Sequence, residues 1–267
     1  MSFLTLDHVS HHYFSKENYT KALNDISFSV EEGEFISILG PSGCGKSTIL
    51  SIIAGIIPQT EGEVRLKQQT IKDSNLGIGY MLQQDYLFPW KTILDNVLLG
   101  PKISKNDSEE LKNKAIDLLK EVGLGDVVKA YPNSLSGGMR QRAALVRTLI
   151  TNPEVLLLDE PFSALDYLTK LKLENLVSDL LKTYKKTAIL VTHDIGEAIS
   201  MSDRIFVMKT NPGTISNEFN VPIELRNEKP FYVRRHPKYQ VLFDKVWNTL
   251  NKREPASQNS KGDVNIT

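Results

Sequence analysis

The feature that most constrains this chain is an apolar segment that runs straight into a glycine-rich loop. Phe35 to Leu39 reads as a buried strand, and Gly40-Pro41-Ser42-Gly43-Cys44-Gly45-Lys46-Ser47 follows it with the spacing G-x-x-x-x-G-K-[ST]. Glycines let the backbone curl so that successive N–H groups point at one anion. A helix behind the loop adds its positive end. Lys46 supplies a point charge for the β- and γ-phosphates, and the Ser47 hydroxyl can ligate Mg²⁺. A chance Gly-rich turn needs neither the strand before it nor the helix after it. Here the strand is present, and Thr48 to Ile57 has a helical pattern that Pro58 stops. The segment therefore specifies an α/β fold that binds nucleotide phosphates.

The rest of the chain supports that class. Residues 3–9 and 25–30 read as strands, the second with Ile26, Phe28 and Val30 alternating with polar residues. Further strands are predicted at 62–67, 76–82, 155–158, 187–192 and 204–208. Helical patterns cover Thr92–Leu99, Ser108–Val122 and Ser136–Thr151. A helical block inside an α/β core predicts two lobes, the helical one at about 84–152, within one domain spanning 1–254. The polar segment from Glu254 onward is expected to be disordered.

A second site element is Val155-Leu156-Leu157-Leu158-Asp159-Glu160, a buried strand ending in two carboxylates. Ligands of open α/β sheets sit at the carboxyl ends of strands. Asp159 is then placed to hold Mg²⁺, and Glu160 to orient or deprotonate an attacking water. On its own, Asp-Glu after a strand is more often a solvated turn. A third element is Leu135-Ser136-Gly137-Gly138-Met139-Arg140-Gln141-Arg142. Ser136 can cap a helix whose first residues are two glycines, leaving N–H groups free at its positive end. That makes a second anion site, which a lone phosphate-loop fold does not need. The bland alternative is an ordinary capped helix.

Composition narrows the function classes. The chain has 267 residues, with 32 Lys plus Arg against 32 Asp plus Glu, so it lacks the basic excess of a nucleic-acid binder. Its one cysteine, Cys44, can form neither an internal disulfide nor a zinc cluster, which points to a reducing compartment. Cys44 fits as a small loop residue, and a helix N-terminus there can lower its pKa. No apolar run approaches the roughly 20 residues of a membrane span, and the first residues do not read as a signal peptide. Any membrane role is then peripheral, through a partner. His11 and His12 read as surface residues.

Taken together, LSGGMRQRAALVRTLITNPEVLLLDEPFSALD closely resembles the signature, Walker B and D-loop region of ABC transporter nucleotide-binding subunits. The resemblance extends over residues 3 to 250. It implies a P-loop core with a mostly parallel sheet, an antiparallel N-terminal β subdomain and an inserted helical subdomain. It also implies ATP hydrolysis with Mg²⁺ in a head-to-tail homodimer. Each ATP would lie between one subunit's Walker A loop, ending in Lys46, Ser47 and Thr48, and the other's Ser136, Gly137 and Gly138. Asp166 matches the D-loop, and His193, in Val191-Thr192-His193-Asp194, matches the switch histidine that senses the γ-phosphate. Gln83 matches the Q-loop glutamine that also faces Mg²⁺, with Gln84 beside it as the alternative register. Tyr13 is the first choice to stack on adenine and Phe14 its rival, since strand alternation lets only one face the base. Met139, where many members have Gln, and Ser163, where this branch often has Gly, depart from the pattern.

LFPWKTILDNV, PFSALD, TNPGTI and RRHPKYQVLFDKVW resemble the nitrate/sulfonate/taurine importer branch, which also includes subunits for pyrimidine precursors. That implies a subunit on the cytoplasmic face of the membrane, energising a separate transmembrane permease and, indirectly, a solute-binding protein. The apolar run around Leu87, Phe88 and Trp90 is expected to receive the permease, against the plainer reading as helical-lobe core. A large C-terminal regulatory domain is not expected, since the resemblance runs to residue 250 of 267. ABC ATPases acting on DNA or ribosomes usually carry tandem halves, coiled coils or basic extensions, and none is seen. A regulator without turnover would lack Glu160.

Overall fold

The computed structural model describes residues 2–14, 19–71, 77–106, 108–163 and 165–251. The polar tail from Glu254, residue 76 of one predicted strand and Ala164 of the PFSALD run lie outside the described residues.

In chain order, strands β1 (Leu4–Phe14) and β2 (Tyr19–Val30) pair antiparallel, and β3 (Phe35–Leu39) leads to helix α1 (Lys46–Ile53). Strands β4 (Glu61–Leu66), β5 (Gln69–Thr70) and β6 (Ile78–Met81) follow. The helical block comprises α2 (Ile93–Val97), α3 (Leu99–Ile103), α4 (Glu109–Glu121) and α5 (Gly137–Leu149). The core resumes with β7 (Val155–Asp159), α6 (Tyr167–Thr183), β8 (Thr187–Thr192), α7 (Ile195–Met201), β9 (Arg204–Lys209) and β10 (Thr214–Asn220). Helices α8 (Ile223–Arg226), α9 (Pro230–Val233) and α10 (Pro237–Asn251) close the described chain.

The strands form two sheets. One is antiparallel, in the order β2-β1-β4-β5; the other runs β10-β9-β3-β8-β7-β6. In the second, β9, β3, β8, β7 and β6 are parallel and β10 pairs antiparallel at the edge. Every residue of β3, β7 and β8 is buried, as a central parallel strand covered on both faces requires. The period-2 alternation sorts their side chains. Ile36, Ile38, Leu157 and Val191 face α1 and the antiparallel sheet. Phe35, Leu156, Leu158 and Leu190 face a core shared with the inserted helices. The mixed α/β architecture is the one the sequence implies.

Two local differences have plain causes. Helix α1 begins at Lys46, inside the loop, and stops at Ile53 rather than at Pro58. The backbone turns left-handed at Gly55 (φ 70°), the usual way a helix ends. The predicted helix Thr92–Leu99 starts as expected, with Thr92 accepting a hydrogen bond from the Asp95 N–H, but is interrupted at Leu98 before α3.

Candidate functional site

The phosphate-loop residues stand at the carboxyl end of β3. Gly45 is in the left-handed region (φ 95°), and a Cβ there would lie 2.5 Å from Leu23 Cδ2, so only glycine fits. It is the N-cap of α1 and offers no side-chain cap, which leaves the first N–H groups of the helix turned to the loop. Lys46 is buried, and its Nζ donates to the carbonyls of Gly40 (2.8 Å) and Pro41 (3.0 Å).

A cavity of about 430 Å³ opens over this loop. Ser42, Gly43, Gly45, Lys46, Ser47 and Thr48 form its floor, and Glu160 its far edge. Its roof is Tyr13 with Thr20 to Ala22 on the antiparallel sheet, together with Asn211 to Gly213. The roof segments other than Tyr13 escaped the residue-by-residue reading, because they approach the loop only when the two sheets pack. Tyr13 donates to or accepts from Thr48 Oγ1 at 3.3 Å. Phe14 is 72% exposed, packs against His12 and Tyr19, and does not line the cavity. Gly40 and Pro41 line a neighbouring depression with His193 instead.

Two expectations are corrected here. Cys44 does not project toward phosphates; its thiol is fully buried in the core beneath the loop. Burial pushes its pKa up, against the pull of Lys46, so the helix terminus does not activate it. His11 is not a surface residue. It is 7% exposed, edge-on to the Tyr13 ring at 4.5 Å, with neither ring nitrogen hydrogen-bonded. Register shifts on both sides of His11 break the strand alternation and turn it inward.

Around the carboxylates, Asp159 is nearly buried. It accepts from Ser47 Oγ (3.2 Å) and from Tyr80 OH (3.3 Å). Burial lifts its carboxyl above the ordinary range, and these two hydrogen bonds oppose the lift. The hydroxyl of Tyr80, half-buried beside it, is pushed up to about 12 by desolvation and the nearby Asp159 charge. Among the described residues there is no cluster of three or more His, Cys, Asp or Glu able to cage a metal. Ser47 and Asp159 do supply two hard oxygen donors, which suits Mg²⁺, an ion usually held by one or two protein groups plus phosphates and water.

Glu160 leaves β7 in the left-handed region (φ 45°), uncommon for a non-glycine residue, and its N–H donates to Val191 O at 2.9 Å. Its Oε2 lies 3.4 Å from Gln83 Nε2 and 3.2 Å from His193 Nδ1. Gln83 Nε2 also reaches Ser163 Oγ at 3.3 Å. Three residues from the ends of β6, β7 and β8 thus meet on one carboxylate at the rim of the cavity.

Ser136, Gly137 and Gly138 are elsewhere. Ser136 caps α5, accepting from Met139 N–H at 3.3 Å, and no acidic residue in the first turn offsets the helix's positive end. None of the three lines the phosphate-loop cavity. Gly138 packs against α6, where a Cβ would lie 2.5 Å from Thr169 Cγ2. Asp166 caps α6 through the Thr169 N–H (3.1 Å), and hydrogen bonds from the Thr169 side chain and then from that N–H lower its carboxyl pKa.

One group was not anticipated. Lys170, on α6, bonds Asp194 (2.6 Å) and Glu197 (2.5 Å), and Glu197 in turn takes a short hydrogen bond from Thr192. This brackets His193 on both sides. Burial works against the charge of Lys170, but the two carboxylates outweigh it and hold its pKa above the ordinary range. The sequence carries a faint trace of it: Asp194 and Glu197 have the spacing of an N-cap and its third helical residue.

Comparisons with known proteins agree on the family. The family model described as "ABC transporter" matches residues 23–163. An uncharacterized ABC transporter ATP-binding protein, YtlC of Bacillus subtilis, is 59% identical over 97% of this chain and 100% of its own length. The taurine import ATP-binding protein TauB of Roseobacter denitrificans is 38% identical over 92% of this chain and 93% of its own. Among solved structures, the dimeric ATP-binding cassette MJ0796, in a post-hydrolysis state bound to ADP and Pi, superposes with a TM-score of 0.73. It is 36% identical over 82% of this chain and 99% of its own.

Proposed function

This chain belongs to the ABC transporter family as an ATP-binding subunit, and we propose that it hydrolyses ATP as a homodimer to energise uptake of a small solute. The observation that carries the reading is the meeting of Gln83, Glu160 and His193 beside the phosphate-loop cavity, while Ser136–Gly138 stand apart from it.

In this reading the loop N–H groups and Lys46 bind the β- and γ-phosphates of ATP, with Lys46 exchanging its two carbonyl partners for phosphate oxygens. Tyr13 stacks on adenine, supported by its place on the cavity wall. Ser47 and Asp159 would hold Mg²⁺, with Gln83 facing it; when bound, the ion neutralises charge on the phosphates. Glu160 Oε2 accepts a proton from the attacking water. The Gln83 amide and the His193 ring hold that carboxylate in place, and His193 senses the γ-phosphate. Ser136, Gly137 and Gly138 of a second copy close the site, which gives the uncovered end of α5 its anion. Asp166 sits at the same junction.

Import, rather than another use of the cassette, is supported by the taurine importer subunit that the chain resembles over nearly its whole length. A small sulfonate such as taurine is the favoured solute, with nitrate or a pyrimidine precursor as the other members of the branch. No helix among the described residues is long and apolar enough to cross a membrane. In this reading the membrane part is a separate permease, contacted from the cytoplasmic side and fed by a solute-binding protein. Its contact is placed around Trp90, which is 70% exposed, with Tyr86 at 59%. Leu87 belongs to the core of the helical lobe and is withdrawn from that surface.

The test is Trp90→Asp in the complete transporter. We expect unchanged folding and ATP binding of the isolated subunit, with co-purification of the permease and taurine uptake both lost. Wild-type assembly and uptake would sink the docking assignment.

A further inference from the structure

A second cavity, of about 440 Å³, lies at the opposite ends of the main sheet's strands. It opens where β3, β8 and β9 begin, lined there by Phe35, Lys186 and Asp203. The phosphate loop is at the other end of β3, five residues or about 17 Å away. The volume is within the usual range for small-molecule sites, roughly 300–1,000 Å³.

Its lining has two parts. Phe35, Leu181 and Met201 give an apolar floor, each buried. Lys182, Lys185, Lys186 and Arg226 stand at the rim against only Glu32 and Asp203. Most of these charges are engaged. Lys182 donates to Arg226 O (3.1 Å), Lys186 to Asn152 Oδ1 (2.9 Å), and Asp203 accepts from Phe35 N–H (2.9 Å) with Arg226 close by. Among the described residues, the ammonium of Lys185 has no partner. Ser200, 7% exposed on the cavity wall, has a buried hydroxyl with no hydrogen bond, although a helical serine usually bonds the carbonyl one turn back. An unmet hydroxyl and an unmet cation over an apolar floor call for an acceptor with a hydrocarbon body.

The walls also connect to the nucleotide side. One is the last turns of α6, whose first turn is capped by Asp166; the other is the end of α7, which starts two residues after His193. A molecule seated between them touches the two helices that follow those residues in the chain.

The geometry points to an effector site for a small organic anion with an apolar body, a medium-chain sulfonate or carboxylate, whose occupancy slows ATP turnover. The regulatory half rests on the ATP-hydrolysing reading above; the binding half does not.

The test uses the full chain and octanesulfonate, titrated calorimetrically without nucleotide. We expect saturable binding, weakened at least tenfold by Lys185→Glu, a change at an exposed position, and several-fold by the near-isosteric Ser200→Ala. Methanesulfonate and octanol, lacking one half of the ligand each, should bind at least tenfold more weakly. In steady-state assays octanesulfonate should lower kcat at least twofold with ATP affinity unchanged, and Lys185→Glu should abolish that effect. No saturable binding, binding indifferent to Lys185→Glu, or equal binding of methanesulfonate overturns the site. Lysine-dependent binding with kcat unchanged overturns the regulation alone. Calorimetry decides the site even for a chain that does not turn over ATP.

Discussion

The two helix ends built to receive anions are unequal. The start of α1 sits in a cavity lined by Ser47, Glu160 and Tyr13 of the same chain, with Asp159 hydrogen-bonded to Ser47 beside it. The start of α5 has a serine cap, two glycines, no acidic residue in its first turn and no place on that cavity. In the proposed reading, one end is a nearly complete site and the other is half of a site that a second copy completes. If that reading holds, composite catalysis leaves a trace in a single subunit, as a Ser-capped, glycine-rich helix end set apart from the phosphate loop.

The largest effect should come at the complete end. Glu160→Gln keeps size and most hydrogen bonding but removes the proton acceptor. Phosphate release should fall by about 10²–10⁴-fold while ATP binding persists. Turnover near the wild-type rate would mean that another group serves as base, and the α1 end would be less complete than described.

The α5 end is tested by mixing. Gly137 has open space around its Cα, so Gly137→Glu blocks the helix end without disturbing the fold; Gly138 would instead strike Thr169. Gly137→Glu and Lys46→Ala chains should each be inactive alone. Mixed in equal amounts, they should recover on the order of a quarter of wild-type activity, because half the dimers hold one intact composite site. No recovery, with dimers confirmed by sedimentation, would break the half-site reading.

A smaller effect joins the two ends. Lys170 ties α6, the helix against which Gly138 packs, to the two carboxylates that follow His193. Lys170→Met leaves Glu197 buried without its cation, at a cost of about 3 kcal/mol in urea unfolding. Lys170→Arg should restore most of that stability. If Lys170→Met unfolds at the wild-type urea midpoint, the ends are not coupled through this pair.

The smallest effect is a control far from both ends. His8 pairs with Asp25 at 2.6 Å, and that hydrogen bond raises its pKa above 6.5. Its contribution to stability is full below the unfolded value and fades as pH rises through the folded one. The pair is exposed, so Asp25→Asn should reduce Tm only slightly at pH 5.5 and not at all at pH 8.5. A large change in ATPase activity over the same range would point to other groups.

The residue pattern alone determined the fold class and the placing of the phosphate-loop residues and the Asp159-Glu160 pair at strand ends. Strand–loop–helix order, continuous burial and the Asp159-Glu160 pair are local in sequence, so spacing suffices to read them. The inserted helical block was legible for the same reason, through its period. Tertiary packing decided what spacing cannot encode. It chose Tyr13 over Phe14 for the cavity wall, and it turned Gln83 toward Glu160. Strand bulges carried His11 inside, although it had read as a surface residue. The thiol of Cys44 went into the core because a tight loop points alternate side chains down as well as out. Leu87 and Trp90, three residues apart, went to core and solvent. The cavity at the far strand ends and the Lys170 network join residues far apart in the chain, so no single segment carries their signature. Contacts of that kind exist only once the sheet is assembled and the helices have docked on both of its faces.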